Sequence, residues 1–155
     1  MTRYSEGGVV LLQASAEQSA HKVAAEPLTV YFDGSCALCS LEIRHYESKS
    51  DRGRIVFVDV SDNQFDPCSG VSAEELMRRF HVRLADGTTV SGARAFVATW
   101  RELPTWRWLA KIERFPAAIS LLECTYRVFL RIRPALSRLV SLLGAKPVNQ
   151  RQVKR

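Results

Sequence analysis

The segment Cys36-Ala37-Leu38-Cys39 lies between a strand signal and a helix signal. Before it runs Leu28-Thr29-Val30-Tyr31-Phe32, short, apolar and rich in β-branched and aromatic residues, bounded by Pro27 and followed by Asp33-Gly34-Ser35. After it, Leu38 to Ser48 has helical character and stops before the turn signal Asp51-Arg52-Gly53; a second apolar run follows at Ile55-Val56-Phe57-Val58. The pattern predicts a strand over 28–32, a helix over 36–49 and a strand over 55–60, with a connection about as long as a parallel crossover needs. A Cys-x-x-Cys at the strand-to-helix turn of a β-α-β unit is the expected setting of a redox pair.

Downstream, a loop containing Pro67 and Gly70 leads to Ser72-Ala73-Glu74-Glu75, where Ser72 can cap a helix and Glu75 completes a capping box. That helix runs to about Phe80. His81-Val82-Arg83-Leu84 alternates as a half-buried strand, Asp86-Gly87 is a hairpin turn, and Thr88-Thr89-Val90 returns. Ala93 to Leu103 is helical. The order β-α-β, helix, β-β-α predicts an α/β fold with a thioredoxin-like core. Extra C-terminal helices follow from Trp106 and Pro116, with Ile119, Leu122, Tyr126 and Phe129 at helical spacing and Arg127 and Arg131 off that stripe. Pro134 is expected to break or kink this last helix near Arg133, leaving a short final helix stopped by Gly144. The domain reading is a flexible extension over 1–26, one domain over 27–144, and a basic flexible tail over 145–155.

The chain has 155 residues, enough for one domain with a core. Its four cysteines are too few for a secreted disulfide scaffold, which favours a reducing compartment and a cytoplasmic protein. Val9-Val10-Leu11-Leu12 before Ala14-Ser15-Ala16 is too short for the apolar core of a signal peptide, and no run of 18 apolar residues predicts a membrane span. From Arg101 to Arg155 there are 12 Lys/Arg against 3 Asp/Glu. These basic helices offer a surface for an acidic partner, but no nucleic-acid motif accompanies them.

Two residues three apart on a helix hold their Cβ atoms roughly 5–6 Å apart, and a disulfide needs about 3.5–4.5 Å. A slight tightening of the first turn therefore lets the pair toggle. A four-residue ring contributes only about 2 kcal/mol as a staple, so exchange chemistry is the better reading. Cys36, nearest the loop, is assigned as nucleophile and Cys39, one turn deeper, as resolving thiol. The helix dipole favours the Cys36 thiolate by about 0.3–1 kcal/mol, less than one pKa unit; bonds to sulfur must supply any larger shift. Arg44 and His45 lie about 12 Å along the helix, too far to help. Asp33, three residues before Cys36, either relays a proton to or from Cys39 or caps the turn.

At these residues the chain resembles the DCC family, a thioredoxin-like group labelled thiol-disulfide oxidoreductase. The family takes its name from an Asp-x-x-Cys-x-x-Cys motif, matched by Asp33, Cys36 and Cys39. The similarity runs from about Thr29 to Leu139, through Val58-Asp59-Val60-Ser61, Phe80-His81-Val82-Arg83, Ser91-Gly92-Ala93, Trp106-Arg107-Trp108-Leu109 and Tyr126-Arg127. The resemblance implies redox exchange of thiols and disulfides and does not supply a substrate. The expected partners are protein or small-molecule thiols and disulfides with a thiol reductant as electron donor, and neither a cofactor nor a metal is expected. Thioredoxins carry a cis-proline before the third strand; here Arg79, Phe80 and His81 stand there. His81 either approaches the cysteine pair in that place, joining Gly34 and Ser35 as a supporting or substrate-contacting residue, or is a partly buried structural histidine.

Two other readings compete. Cys36 and Cys39 with His45, His81 or Cys68 would make a zinc site, although only one paired half-motif is present. The basic helices would make an adaptor without turnover. A phosphatase reading of Phe32-Asp33-Gly34-Ser35, which resembles the aspartate loop of haloacid dehalogenase-type enzymes, fails because Tyr31 stands where a second Asp is needed. Cys68 reads as a lone loop thiol and Cys124 as a small packed side chain. Glu42 and Arg44 read as surface or ion-pair residues, and Trp100, Trp106 and Trp108 as packing for the C-terminal helices.

Overall fold

The computed structural model describes residues 26–65 and 70–148. The N-terminal extension before Glu26, Cys68 and the tail beyond Val148 lie outside the described residues.

Strand β1 (Leu28–Phe32) leads through the Cys36 turn into helix α1 (Ala37–Lys49) and strand β2 (Ile55–Asp59), which pairs parallel to β1 from Leu28↔Ile55 to Phe32↔Asp59. Helix α2 (Ala73–Arg78) starts at Ser72, whose hydroxyl accepts the Glu75 N–H at 3.2 Å. Strands β3 (His81–Arg83) and β4 (Thr89–Ser91) form the hairpin, with β3 antiparallel to β1. The sheet order is β2-β1-β3-β4, the α/β arrangement of a thioredoxin-like core with C-terminal helices added. The pleat of β1 divides the core. Val30 and Phe32 pack with Ile43 and Tyr46 of α1 and with Ala95 and Ala98 of α3 (Ala93–Glu102), while Tyr31 faces Leu76 of α2 on the other side.

After α3, the aromatic-rich segment folds as a 3₁₀ turn, a short helix α4 (Arg107–Ala110) and a second 3₁₀ turn. Trp100 and Trp106 pack against the core, but Trp108 is 67% exposed, because this broken segment turns that side chain outward. Helix α5 (Pro116–Leu142) then runs unbroken through Pro134, contrary to the expected break. Proline removes one backbone bond and strains the preceding turn, at a cost of about 3 kcal/mol. Anchors on both sides hold the helix through that defect: Arg133 before it and Ser137 after it both touch the β1–α1 turn. Gly144 and Ala145 close α5 with N–H bonds to the Ser141 and Val140 carbonyls. The chain then folds back along α1, where the Val148 N–H donates to Ser40 Oγ at 3.1 Å and Arg44 donates to the Lys146 carbonyl at 3.0 Å.

Three polar contacts seat α5. Tyr126 Oη accepts the Phe80 N–H at 2.7 Å. Glu123 accepts the Ala93 N–H at 3.0 Å and pairs with Arg79 at 2.7 Å. This carboxylate occupies the space a side chain on Gly92 would fill, 2.3 Å from the ideal Cβ, and Gly92 also holds a positive φ of 61°. Cys124, beside Glu123, is exposed rather than packed, since the inward stripe passes through Tyr126 and leaves it on the outer flank.

Replacing Tyr126 by Phe keeps the ring and orphans the Phe80 N–H. We expect a loss of about 1–3 kcal/mol, read as a lower urea midpoint at unchanged slope; an unmoved midpoint would show that this bond does not seat the helix.

Candidate functional site

The turn that presents the cysteines is built from carboxylates at the ends of β1 and β2. Asp33 Oδ1 accepts the Ser35 N–H at 3.0 Å and the Ser35 hydroxyl, which folds the chain back toward the helix. Asp59 Oδ1 accepts the Gly34 N–H at 2.9 Å and both the N–H and hydroxyl of Ser61 at 2.9 and 2.7 Å. A Cβ on Gly34 would lie 1.8 Å from the Asp59 carboxylate, so glycine is required by close approach and not by a positive φ. Ser40, fully buried, donates to the Gly34 carbonyl at 3.2 Å.

Cys36 is the N-cap of α1. Its sulfur accepts the Cys39 N–H at 3.4 Å and lies 2.9 Å from Cys39 Sγ, both residues being free thiols. Ser137 Oγ of α5 stands 3.4 Å from the same sulfur. Arg133, one turn before Ser137, donates to Asp33 Oδ2 at 2.7 Å and to the Met77 carbonyl at 3.0 Å, which sets its guanidinium beside both sulfurs.

These contacts divide the two thiols. The Cys36 thiol is lowered from 9.0 to about 5, first by the hydrogen bond from Cys39. Burial opposes this, and Ser137, the Cys39 N–H and Arg133 reinforce it. The Cys39 thiol is pushed far above the usual thiol range, first by its bond to Cys36 and then by burial, with Arg133 pulling the other way. At neutral pH the pair is one thiolate and one thiol.

Cys36 retains 8% exposure, on the floor of an open groove of ≈ 750 Å³ between the end of α2 and the second half of α5. Beneath Cys39 a small cavity of ≈ 40 Å³ is lined in part by Glu42, Tyr126 and Arg133, room for water by volume. Glu42 is not the surface residue expected. It accepts the Tyr46 hydroxyl at 2.7 Å, and burial raises its carboxyl above the usual range.

Residues 30–139 match the profile of the DCC1-like thiol-disulfide oxidoreductases. The chain belongs to that family. An uncharacterized chloroplastic protein of Arabidopsis thaliana is 28% identical over 109 residues, covering 68% of this chain and 50% of the plant protein. The chain thus spans about half the length of this curated relative. No solved structure matches it.

Asp33, Gly34, Ser35, Cys36 and Cys39 are therefore gathered on one turn. His81 lines neither the cavity beneath Cys39 nor the groove over Cys36; its Nδ1 lies 2.9 Å from the Arg79 carbonyl, and burial lowers its pKa. Among the described residues no group of three His, Cys, Asp or Glu side chains is placed to hold a metal, and no helix is long and apolar enough to cross a membrane. Arg133, Ser137, Asp59 and Ser40 did not emerge from the sequence as site residues. The signal for Arg133 was its position seven residues after Tyr126, a charge on the inward stripe.

Replacing Arg133 by Met removes the cation and frees the Asp33 charge near the sulfur. A hydrogen bond to a charged group is worth about 1.5–3 kcal/mol, or roughly 1–2 pKa units. The pH of half-maximal iodoacetamide alkylation at Cys36 is expected to rise by that amount; an unchanged profile would remove Arg133 from the site.

Proposed function

We propose that this chain is a thiol-disulfide oxidoreductase of the protein-disulfide reductase type, with the chemistry in one domain over residues 27–144. The observation that carries the reading is the unequal sulfur pair, 2.9 Å apart, with the low-pKa member at the floor of the groove. The Cys36 thiolate attacks one sulfur of a substrate disulfide, forms a mixed disulfide and expels one substrate thiolate. Cys39 then gives up its proton to the expelled substrate thiolate and attacks Cys36 Sγ. The Cys36–substrate bond breaks, the second substrate thiolate leaves, and a Cys36–Cys39 disulfide remains. The substrate has gained two electrons; a dithiol or glutathione-class reductant returns them to the protein.

The same contacts support the second step. Once Cys36 Sγ is in the mixed disulfide it carries no charge, and the main reason for the high Cys39 pKa disappears. Arg133 then favours the Cys39 thiolate, so one cation serves each nucleophile in turn. Asp33 acts here by orienting Arg133 and folding the turn; its oxygens already accept from Ser35 and Arg133. Gly34 and Ser35 shape the approach, and His81 supports the strand facing β1. A reducing compartment such as the cytoplasm would return the pair to thiols between turnovers.

With insulin or oxidised glutathione as substrate and excess dithiol, Cys36→Ser is expected to abolish turnover. Cys39→Ser should stop after the first step and accumulate a mixed disulfide at Cys36, visible as an added mass that dithiothreitol removes. Wild-type rates in both variants would end the proposal.

A further inference from the structure

Cys36 opens onto a groove whose charged lining is mostly of one sign. Arg78 enters from the end of α2, and Arg133 and Arg138 from α5, against the single carboxylate of Asp33. Asp33 is already taken by Arg133 at 2.7 Å, with both side chains only 16% exposed. Arg78 has one carboxylate near it, Glu74 at 3.9 Å, and both side chains of that pair are more than 70% exposed, so solvent screens it. Arg138 has no ion pair or hydrogen bond among the described residues. Two guanidinium groups thus stand on opposite walls with little to neutralise them. The groove is also lined by Met77, Leu130 and Leu142, apolar surface on which a peptide backbone or aliphatic side chain can rest. The volume, ≈ 750 Å³, accommodates a few residues rather than a folded surface.

Resting on the redox reading above, we infer that this groove selects disulfides flanked by carboxylates, the natural form being a cystine in an acidic, extended peptide segment. The electrostatics favour this twice. Carboxylates on the incoming segment meet Arg78 and Arg138 across the groove, and fixed positive charge offsets the repulsion between the Cys36 thiolate and an anionic substrate. A lysine-flanked disulfide meets repulsion from both walls. The apolar lining favours a peptide over a small disulfide of equal charge.

The test uses the full chain, excess dithiothreitol and three disulfide-linked peptide dimers of one length, with Glu, Gln or Lys on each side of the cysteine. The expected order of kcat/KM is Glu, then Gln, then Lys, with a factor of roughly 10 between successive members at low salt and a collapse of the differences at high salt. In the double variant Arg78→Glu, Arg138→Glu the order inverts. Because the ratio is read within one preparation, the amount of folded protein cancels. A small dicarboxylate aromatic disulfide run in parallel separates the sources: slower turnover than the Glu peptide supports the peptide segment, and equal or faster turnover overturns that assignment. Equal rates for all three peptides, or a preference that survives charge reversal, overturn charge selection while leaving the redox reading intact. Failure to reduce any of them takes both down.

Discussion

One negative charge rests on Cys36, held first by the Cys39 thiol 2.9 Å away and reinforced by Ser137 and by the guanidinium of Arg133, a residue about a hundred positions away. The arrangement depends on the docking of α5. Tyr126 and Glu123 seat the first half of the helix against β3 and α3, and Arg133 and Ser137 then arrive at the cysteine turn. The C-terminal helix is therefore part of the site and not an appendage to the core. A partly buried ion pair such as Arg133–Asp33 is weak evidence for stability, because desolvation offsets much of the attraction. Its position is better explained by what it does to the sulfurs.

The same constraint accounts for the turn. Asp59, at the end of β2, binds the Gly34 and Ser61 N–H groups, which ties the loop carrying Cys36 to the parallel β1–β2 pair. Ser40 links that loop inward to Gly34 and outward to the segment after α5. Cys36 thus sits on a turn braced from the sheet below, from its own helix, and from α5 above. Bracing of this kind holds the sulfurs within reach of one another with little backbone motion.

What was legible in the sequence was what is local. Strand, turn and helix around Asp33 to Cys39 follow from residue types within a few positions, as do the Ser72 cap and the Asp86-Gly87 hairpin. Gly34 was readable as a turn residue, but close approach could be separated from positive φ only with Asp59 in place. Arg133 and Ser137 were hidden for a tertiary reason. Pro134 signals an interruption, and an interrupted helix would not carry Ser137 to Cys36. Cys124 and Trp108 resemble core residues by type and lie outside because the inward face of α5 and the broken α4 segment turn them away. Dipole strength alone argued for a small shift at Cys36; the larger one comes from hydrogen bonds, first among them that of the neighbouring thiol.

The most direct test of this account is a titration of the thiolate ultraviolet absorbance in the fully reduced wild-type protein, with Cys36 assigned by its loss in Cys36→Ser. One thiolate should appear with a midpoint near pH 5, far below the ordinary 9.0, while Cys39 stays protonated through neutrality. A single broad transition near pH 9, with no thiolate at neutral pH, would contradict the claim that the docked helix and the paired thiol hold a charge on Cys36.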